Sequence, residues 1–388
     1  MRRSAVIVAM ALLTTFACSS GSSPPQSSGP SRSTEPPSSP TQESPTPSAG
    51  LARLASGAAL PSTCSPSKPQ SSDTVAFVSG GHAWALSLDG SRLTCLFDVT
   101  DPGPFLWGPL GDRALLGGFE VKGLPGALTL AASDLQAGPA SWGRPTGKSI
   151  ALVSGDGAAL EKVHLDGDPL EDITPLKDTN YLSVAYHPSG LALAFSVQRG
   201  AAQSIWISSN NGTKPKRLVF STQGTKFGVV GFGDDGMSFY YAAVHAGGTS
   251  VLHELSLENP TEVGAIASAP PGKQILDIRP GLSSRAVAWT VGSSCTDSVA
   301  MARGANGKRL TVPGGSKPTH AIGWLDEKRL LVGTGGCSEG MDLSAIEVST
   351  GTSVPLVFGV EAAGVRTPAP TPPPPLPITD ASIGSGNA

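Results

Sequence analysis

Residues 184–220 read VAYHPSGLALAFSVQRGAAQSIWISSNNGTKPKRLVF. The stretch divides into short apolar alternations separated by turn residues, which is a strand pattern and not a helical one. Residues 184–186 end a first strand, and His187, Pro188, Ser189 and Gly190 form a tight turn. Residues 191–196 make a second strand and residues 204–208 a third. Asn210, Asn211 and Gly212 then turn the chain into a fourth strand at 216–220. An Asn-Gly pair tolerates positive φ, so the last two strands are expected to form a hairpin.

This unit recurs along the chain. An aromatic or apolar residue stands before a Pro, Gly or Asp turn at Trp107, Trp142, Tyr186, Phe232, Ile278 and Trp324. An apolar strand follows each turn, at 113–116, 149–153, 191–196, 237–242, 285–291 and 329–332. An earlier copy fits 74–78, 83–89 and 92–97. The period is about 43 residues, and the last three steps are even. A four-stranded unit of that length cannot bury both faces alone, whereas copies set radially cover one another and leave only short edges. The predicted fold is all-β, a β-propeller of four-stranded blades, with seven blades favoured and six as the alternative. A pair of β-sandwiches would not account for the even spacing.

The order of Tyr186-His187-Pro188-Ser189-Gly190, LALAFS, SIWIS and NNGTKPKRLV resembles TolB-like propeller repeats. Those carry an aromatic, a Ser-Pro-Asp-Gly turn, and strands ending in an Arg-Leu-Thr type segment. The resemblance runs over roughly 73–360 and is strongest in the copy quoted. It implies an envelope propeller that acts mainly through partners.

The two ends have a different composition. Residues 1–17 hold Arg2, Arg3 and then an uncharged stretch too short to cross a bilayer, which fits a secretory leader. Thr15-Phe16-Ala17-Cys18 resembles a bacterial lipobox, so Cys18 is the expected lipidation site. Residues 18–62 read as a Ser/Pro-rich tether and 363–388 as a Pro-rich tail, neither with enough apolar side chains to offset its ordering entropy. The propeller is assigned to 63–362. Localisation to a bacterial cell envelope follows, at the outer membrane if the cell has two membranes, because Ser19 is not the Asp that favours inner-membrane retention. With a net charge of −3 and 15% charged residues, a nucleic-acid-coating role is excluded. Contact with the membrane is assigned to the N-terminal lipid.

Without Cys18, four cysteines remain: Cys64, Cys95, Cys295 and Cys337. An even number in an exported chain predicts two disulfides, with three pairings open. Cys295 and Cys337 fall in equivalent loops of consecutive blades, which favours Cys295–Cys337 and leaves Cys64–Cys95. No CxxC and no His at ligand spacing points to a metal, so no metal and no cofactor is expected.

Candidate chemistry is sparse. Gly336-Cys337-Ser338-Glu339-Gly340 matches G-x-S-x-G, but a nucleophile elbow needs a helix after the Ser, and a strand is predicted there. The acidic run at 166–172 lacks the regular ligand order of a calcium loop and reads as a turn. Asp234-Asp235-Gly236 reads as a turn as well. His82, Asp156, Arg199, His245 and Glu339 share one loop class, between second and third strands, and define the expected binding face. With no catalytic set legible, the sequence reading is a lipid-anchored, non-enzymatic platform for a protein or ligand, with an envelope protein as the expected partner. The alternative is a propeller hydrolase or lyase acting on sugar or peptide at the central channel.

Overall fold

A computed structural model of the chain describes residues 52–366, apart from 101–102, 104, 112, 117–119, 124–129, 132–139, 145, 166–169, 222–223, 284 and 337–339. The leader, Cys18, most of the tether and all but the start of the tail fall outside the described residues.

Among the described residues there are seven antiparallel sheets. Blade four is the quoted unit, with strands Asn180–Tyr186, Ala192–Arg199, Ala202–Ser209 and Lys216–Phe220. The inner strands of the blades around it are Phe105–Trp107 in blade two, Ala140–Trp142 in blade three and Lys226–Phe232 in blade five. Gln274–Pro280 and Thr319–Trp324 serve blades six and seven. Five of the six residues read as repeat markers close their inner strands; Ile278 lies two residues from the end of its own. Among the described residues there is no α-helix, and one 3-10 turn spans Cys295–Asp297.

Blade one is composite. Asp73–Ser79, His82–Ser87 and Leu93–Asp98 come from the start of the propeller, while the inner strand, Ala362–Val365, comes from its end. Val75 pairs with Val365 and Val78 with Ala362, so the ring is closed by hydrogen bonds between the two ends of the domain. Arg53–Leu54 adds a fifth strand to the outer edge of blade seven, pairing Arg53 with Phe358. The sheets therefore reach past the expected limits of 63–362 at both ends. Arg53 also forms an isolated antiparallel bridge with Ala59. Each terminal segment gains a ladder by pairing with an open sheet edge, which outweighs weak local propensity.

Strand periodicity builds the core. Along Asp73–Ser79, Val75 and Phe77 face blade seven, packing with Leu331 and Leu343. Ala76 and Val78 face blade two, packing with Phe105 and Trp107. The same alternation around the ring gives seven clusters, each between neighbouring blades. No blade has a core of its own, so stability depends on completing the circle.

The Asn210-Asn211-Gly212 turn forms as expected, with Gly212 at φ +76°. A Cβ there would also lie 1.9 Å from the Ile173 carbonyl oxygen of blade three, so glycine is required twice over. The Cys64–Cys95 disulfide is present, with Cα atoms 5.6 Å apart, and ties the segment entering the propeller to the outer strand of blade one. Cys295 is also disulfide-bonded, while its expected partner Cys337 lies outside the described residues.

Candidate functional site in the central channel

All the inner strands run the same way, so their last residues meet at one end of the channel. There Trp107, Trp142, Tyr186, Phe232 and Trp324 line a cavity of about 280 Å³. Their polar ends are held by backbone. Trp142 donates its indole N–H to Leu106 O at 3.1 Å, and Trp324 donates to Arg279 O at 2.9 Å, each reaching the inner strand of the preceding blade. Tyr186 O–H lies 3.3 Å from Ser149 Oγ, and burial raises its pKa. The aromatic markers that define the repeat in sequence are thus wedges between blades and walls of the channel.

Two charged side chains from non-adjacent blades meet on this wall. Arg144 leaves the turn after the inner strand of blade three, and Asp234 the turn after that of blade five. They form a two-point pair, Nη1 with Oδ1 and Nη2 with Oδ2, the second at 3.3 Å. Both side chains are nearly enclosed, 14% and 8% exposed. The adjacent Asp235 caps its own turn, accepting from Met237 N at 2.9 Å and Ser238 N at 3.0 Å. Two consecutive acids thus divide the work: Asp235 shapes the loop, and Asp234 faces the channel. Burial raises the Asp234 pKa above the ordinary carboxylate range, outweighing the opposing pull of Arg144.

His187, from blade four, sits between these two blades and is fully buried. Its Nε2 lies 2.9 Å from Gly236 O, so Nε2 carries the proton, and Nδ1 accepts from Ser189 N at 3.1 Å. Burial lowers its pKa, which keeps the ring neutral. Arg279 is a second cation on the cavity wall, paired with Asp277 at 2.6 Å and 40% exposed. Its Nε is buried with no hydrogen-bond partner among the described residues.

The expected binding face lies at the opposite end of the ring, since second strands run antiparallel to inner ones. His82, Asp156, Arg199 and His245 all stand beside the connection between second and third strands. They do not converge, and among the described residues no hydrogen bond or ion pair joins any two of them. Asp156 accepts from Ser154 Oγ at 2.6 Å, which holds its carboxyl low. Arg199 donates to Lys177 O, and His245 packs edge-on to His253. Glu339, with Cys337 and Ser338, lies outside the described residues; the strand Met341–Glu347 follows them, not the helix that a nucleophile elbow requires. Residues 166–169 of the acidic run also lie outside, and Glu171–Asp172 is the outer strand of blade three.

One set of metal-type side chains does come together at this end of the ring. Cys64, His82 and Asp98 bring donor atoms within 4.8 Å of one another. No local spacing announces this, because His82 and Asp98 become neighbours only by direct cross-strand pairing. In the disulfide, however, Cys64 has no thiolate to offer, so the set fits a metal poorly as it stands.

No protein-family model matches the sequence, and neither does any curated protein. Solved structures do match. A structure of prolyl endopeptidases aligns with a TM-score of 0.55 and 13% identity, over 78% of this chain and 50% of that one. An oligogalacturonate lyase in complex with manganese gives 0.46 and 12%, over 72% and 82%. TolB from Acinetobacter baumannii gives 0.44 and 15%, over 76% and 65%. At these identities the likeness is one of fold.

The expectation of a non-enzymatic platform does not stand. It rested on finding no convergent ionisable groups, yet the ring joins Arg144 to Asp234 across 90 residues of chain and gathers Cys64, His82 and Asp98. The fold itself is one that prolyl endopeptidases share. The signal that was missed is the doubled acid in the blade-five turn: a turn needs one capping Asp, and the second was surplus.

Proposed function

We propose that the chain is an exported propeller hydrolase or lyase that acts on a carboxylate-bearing sugar or peptide at the central channel. The observation that carries this reading is the enclosed Arg144–Asp234 pair on the aromatic wall. Burial of a charged pair is seldom explained by stability, because desolvation offsets the attraction. The raised pKa of Asp234 fits that balance. A carboxyl group whose proton is held more tightly than usual is suited to giving and taking a proton during bond cleavage.

In this reading Asp234 is the acid–base group. Arg279, 40% exposed on the cavity wall, receives the substrate carboxylate, and Arg144 holds Asp234 in place. Trp107, Trp142 and Trp324 supply flat apolar walls for a sugar ring or a proline-like side chain. The cavity, near the lower end of small-ligand sites, suits one such unit and not a polymer segment. The leader at 1–17 carries the chain out of the cytoplasm, a lipid on Cys18 holds it at the envelope, and the stretch between Cys18 and the strand that starts at Arg53 is the leash.

The test is a panel of acidic oligosaccharides and peptides assayed with wild type, Asp234→Asn and Arg279→Ala. Lyase action yields an unsaturated, ultraviolet-absorbing product; hydrolysis places solvent oxygen in the product. Asp234→Asn is expected to lower kcat by about 10²- to 10⁴-fold. Arg279→Ala is expected to raise KM for acidic substrates only. Wild-type turnover that survives Asp234→Asn, or no turnover on any substrate of the class, overturns the assignment.

A further inference from the structure

We propose that reduction of the Cys64–Cys95 disulfide uncovers a divalent-metal site of the zinc type, formed by Cys64, His82 and Asp98 on blade one. The site is separate from the channel and does not depend on the function assigned there. His82 opens the third strand of the blade, and Asp98 closes the fourth directly opposite. His82 Nδ1 and Asp98 Oδ1 stand 2.8 Å apart, already set toward each other. Cys64 brings its sulfur from the segment that crosses this corner, and all three donor atoms lie within 4.8 Å of one another. A metal bound at about 2.0–2.3 Å from each donor needs them roughly 3–4 Å apart, so small side-chain movements suffice. Asp98 is 77% exposed, which gives an ion a path in.

The disulfide decides whether the third donor exists. A dithiol reductant supplies two electrons and two protons; its own sulfurs become a disulfide, the Cys64–Cys95 bond breaks, and two thiols remain. Cys64 then releases its proton to solvent and binds as thiolate. His82 binds as neutral imidazole with its proton on Nε2, and Asp98 binds as carboxylate. Two negative donors balance the doubly charged ion, and water takes the fourth position. Cys95 is 6% exposed, with its sulfur 3.8 Å from Ala83 O, and remains in the blade as the second thiol. In the oxidised protein only the His82–Asp98 pair is left, too few donors for firm binding.

Cys95→Ser in the full chain frees Cys64 without any reductant, and cobalt(II) is the probe. The expected result is a thiolate-to-cobalt charge-transfer band, displaced by zinc. Affinity should exceed that of the oxidised wild type by at least about 10-fold and fall by a similar factor in Cys95→Ser chains also carrying His82→Ala or Asp98→Ala. If Cys95→Ser does not fold, phosphine-reduced wild type reads the same band, and phosphine-reduced His82→Ala, which keeps the thiol of Cys295 beside His320, must lack it. Equal cobalt affinity of oxidised and reduced protein, a spectrum without the thiolate band, or binding that survives His82→Ala overturns the proposal.

Discussion

Replacing Arg144 and Asp234 singly and together separates a functional pair from a structural one. Both side chains are almost closed off from water, so removing either takes a counter-ion from a nearly buried charge. Such single losses typically cost about 3–5 kcal/mol, whereas replacing both ions by apolar groups of similar size is often neutral or stabilising. Arg144→Met and Asp234→Leu should therefore each destabilise by about that amount. The double variant should return to within about 1 kcal/mol of wild type, because blades three and five then meet through apolar surface. Urea unfolding gives all four stabilities, and the cycle isolates the coupling. The double variant should be folded and inactive, which shows that the pair is kept for chemistry. Single costs below about 1 kcal/mol that simply add would mean that the two groups do not form an enclosed pair, and the argument for the channel would fail.

Acid should weaken the fold before it affects the carboxylates. Burial depresses the pKa of His187, His253 and His320, so their stabilising contribution is present above the ordinary histidine value of about 6.5 and lost as pH falls through the folded values. Asp234 works in the opposite sense: its folded value is raised, so its contribution is present at low pH and lost as pH rises through that value. Thermal unfolding from pH 8 to 5 should show a falling Tm, with a shallower slope in His187→Gln; an unchanged slope refutes the role given to His187. Gly212→Ala should cost more than about 2 kcal/mol by urea unfolding, since strain adds to the collision with Ile173. Gly307→Ala, at φ +79° but in open space, should cost only about 1 kcal/mol, and equal costs would refute the reading of the blade-three contact.

The fold was legible because strand alternation, turn residues and an aromatic marker repeat together, each recording the same geometry. The strands expected at 113–116 and 149–153 appear as Arg113–Leu116 and Ser149–Val153. The closing strand was not legible: Ala362–Val365 has little strand character of its own and is fixed by an edge more than 280 residues earlier in the chain. The site failed for the same reason. Arg144 and Asp234 look like ordinary turn residues until the ring folds, because spacing along a chain says nothing about two turns separated by a whole blade. His82, Asp156, Arg199 and His245 lie beside equivalent connections, but residues spread around a circle share a face without sharing a place.

The composite blade has a mechanical consequence. A pull on the chain ahead of Arg53 first meets the two-residue ladder with blade seven, which unzips easily. Without a crosslink the load would pass next to Asp73 and peel the strand that joins the two ends of the domain. The bond from Cys64 to Cys95 takes up that tension first and delivers it to the outermost strand of the sheet, away from the seam. Cutting that bond would shift the load onto the strand Asp73–Ser79, whose pairing with Ala362–Val365 closes the ring, turning the point of closure into the point of rupture.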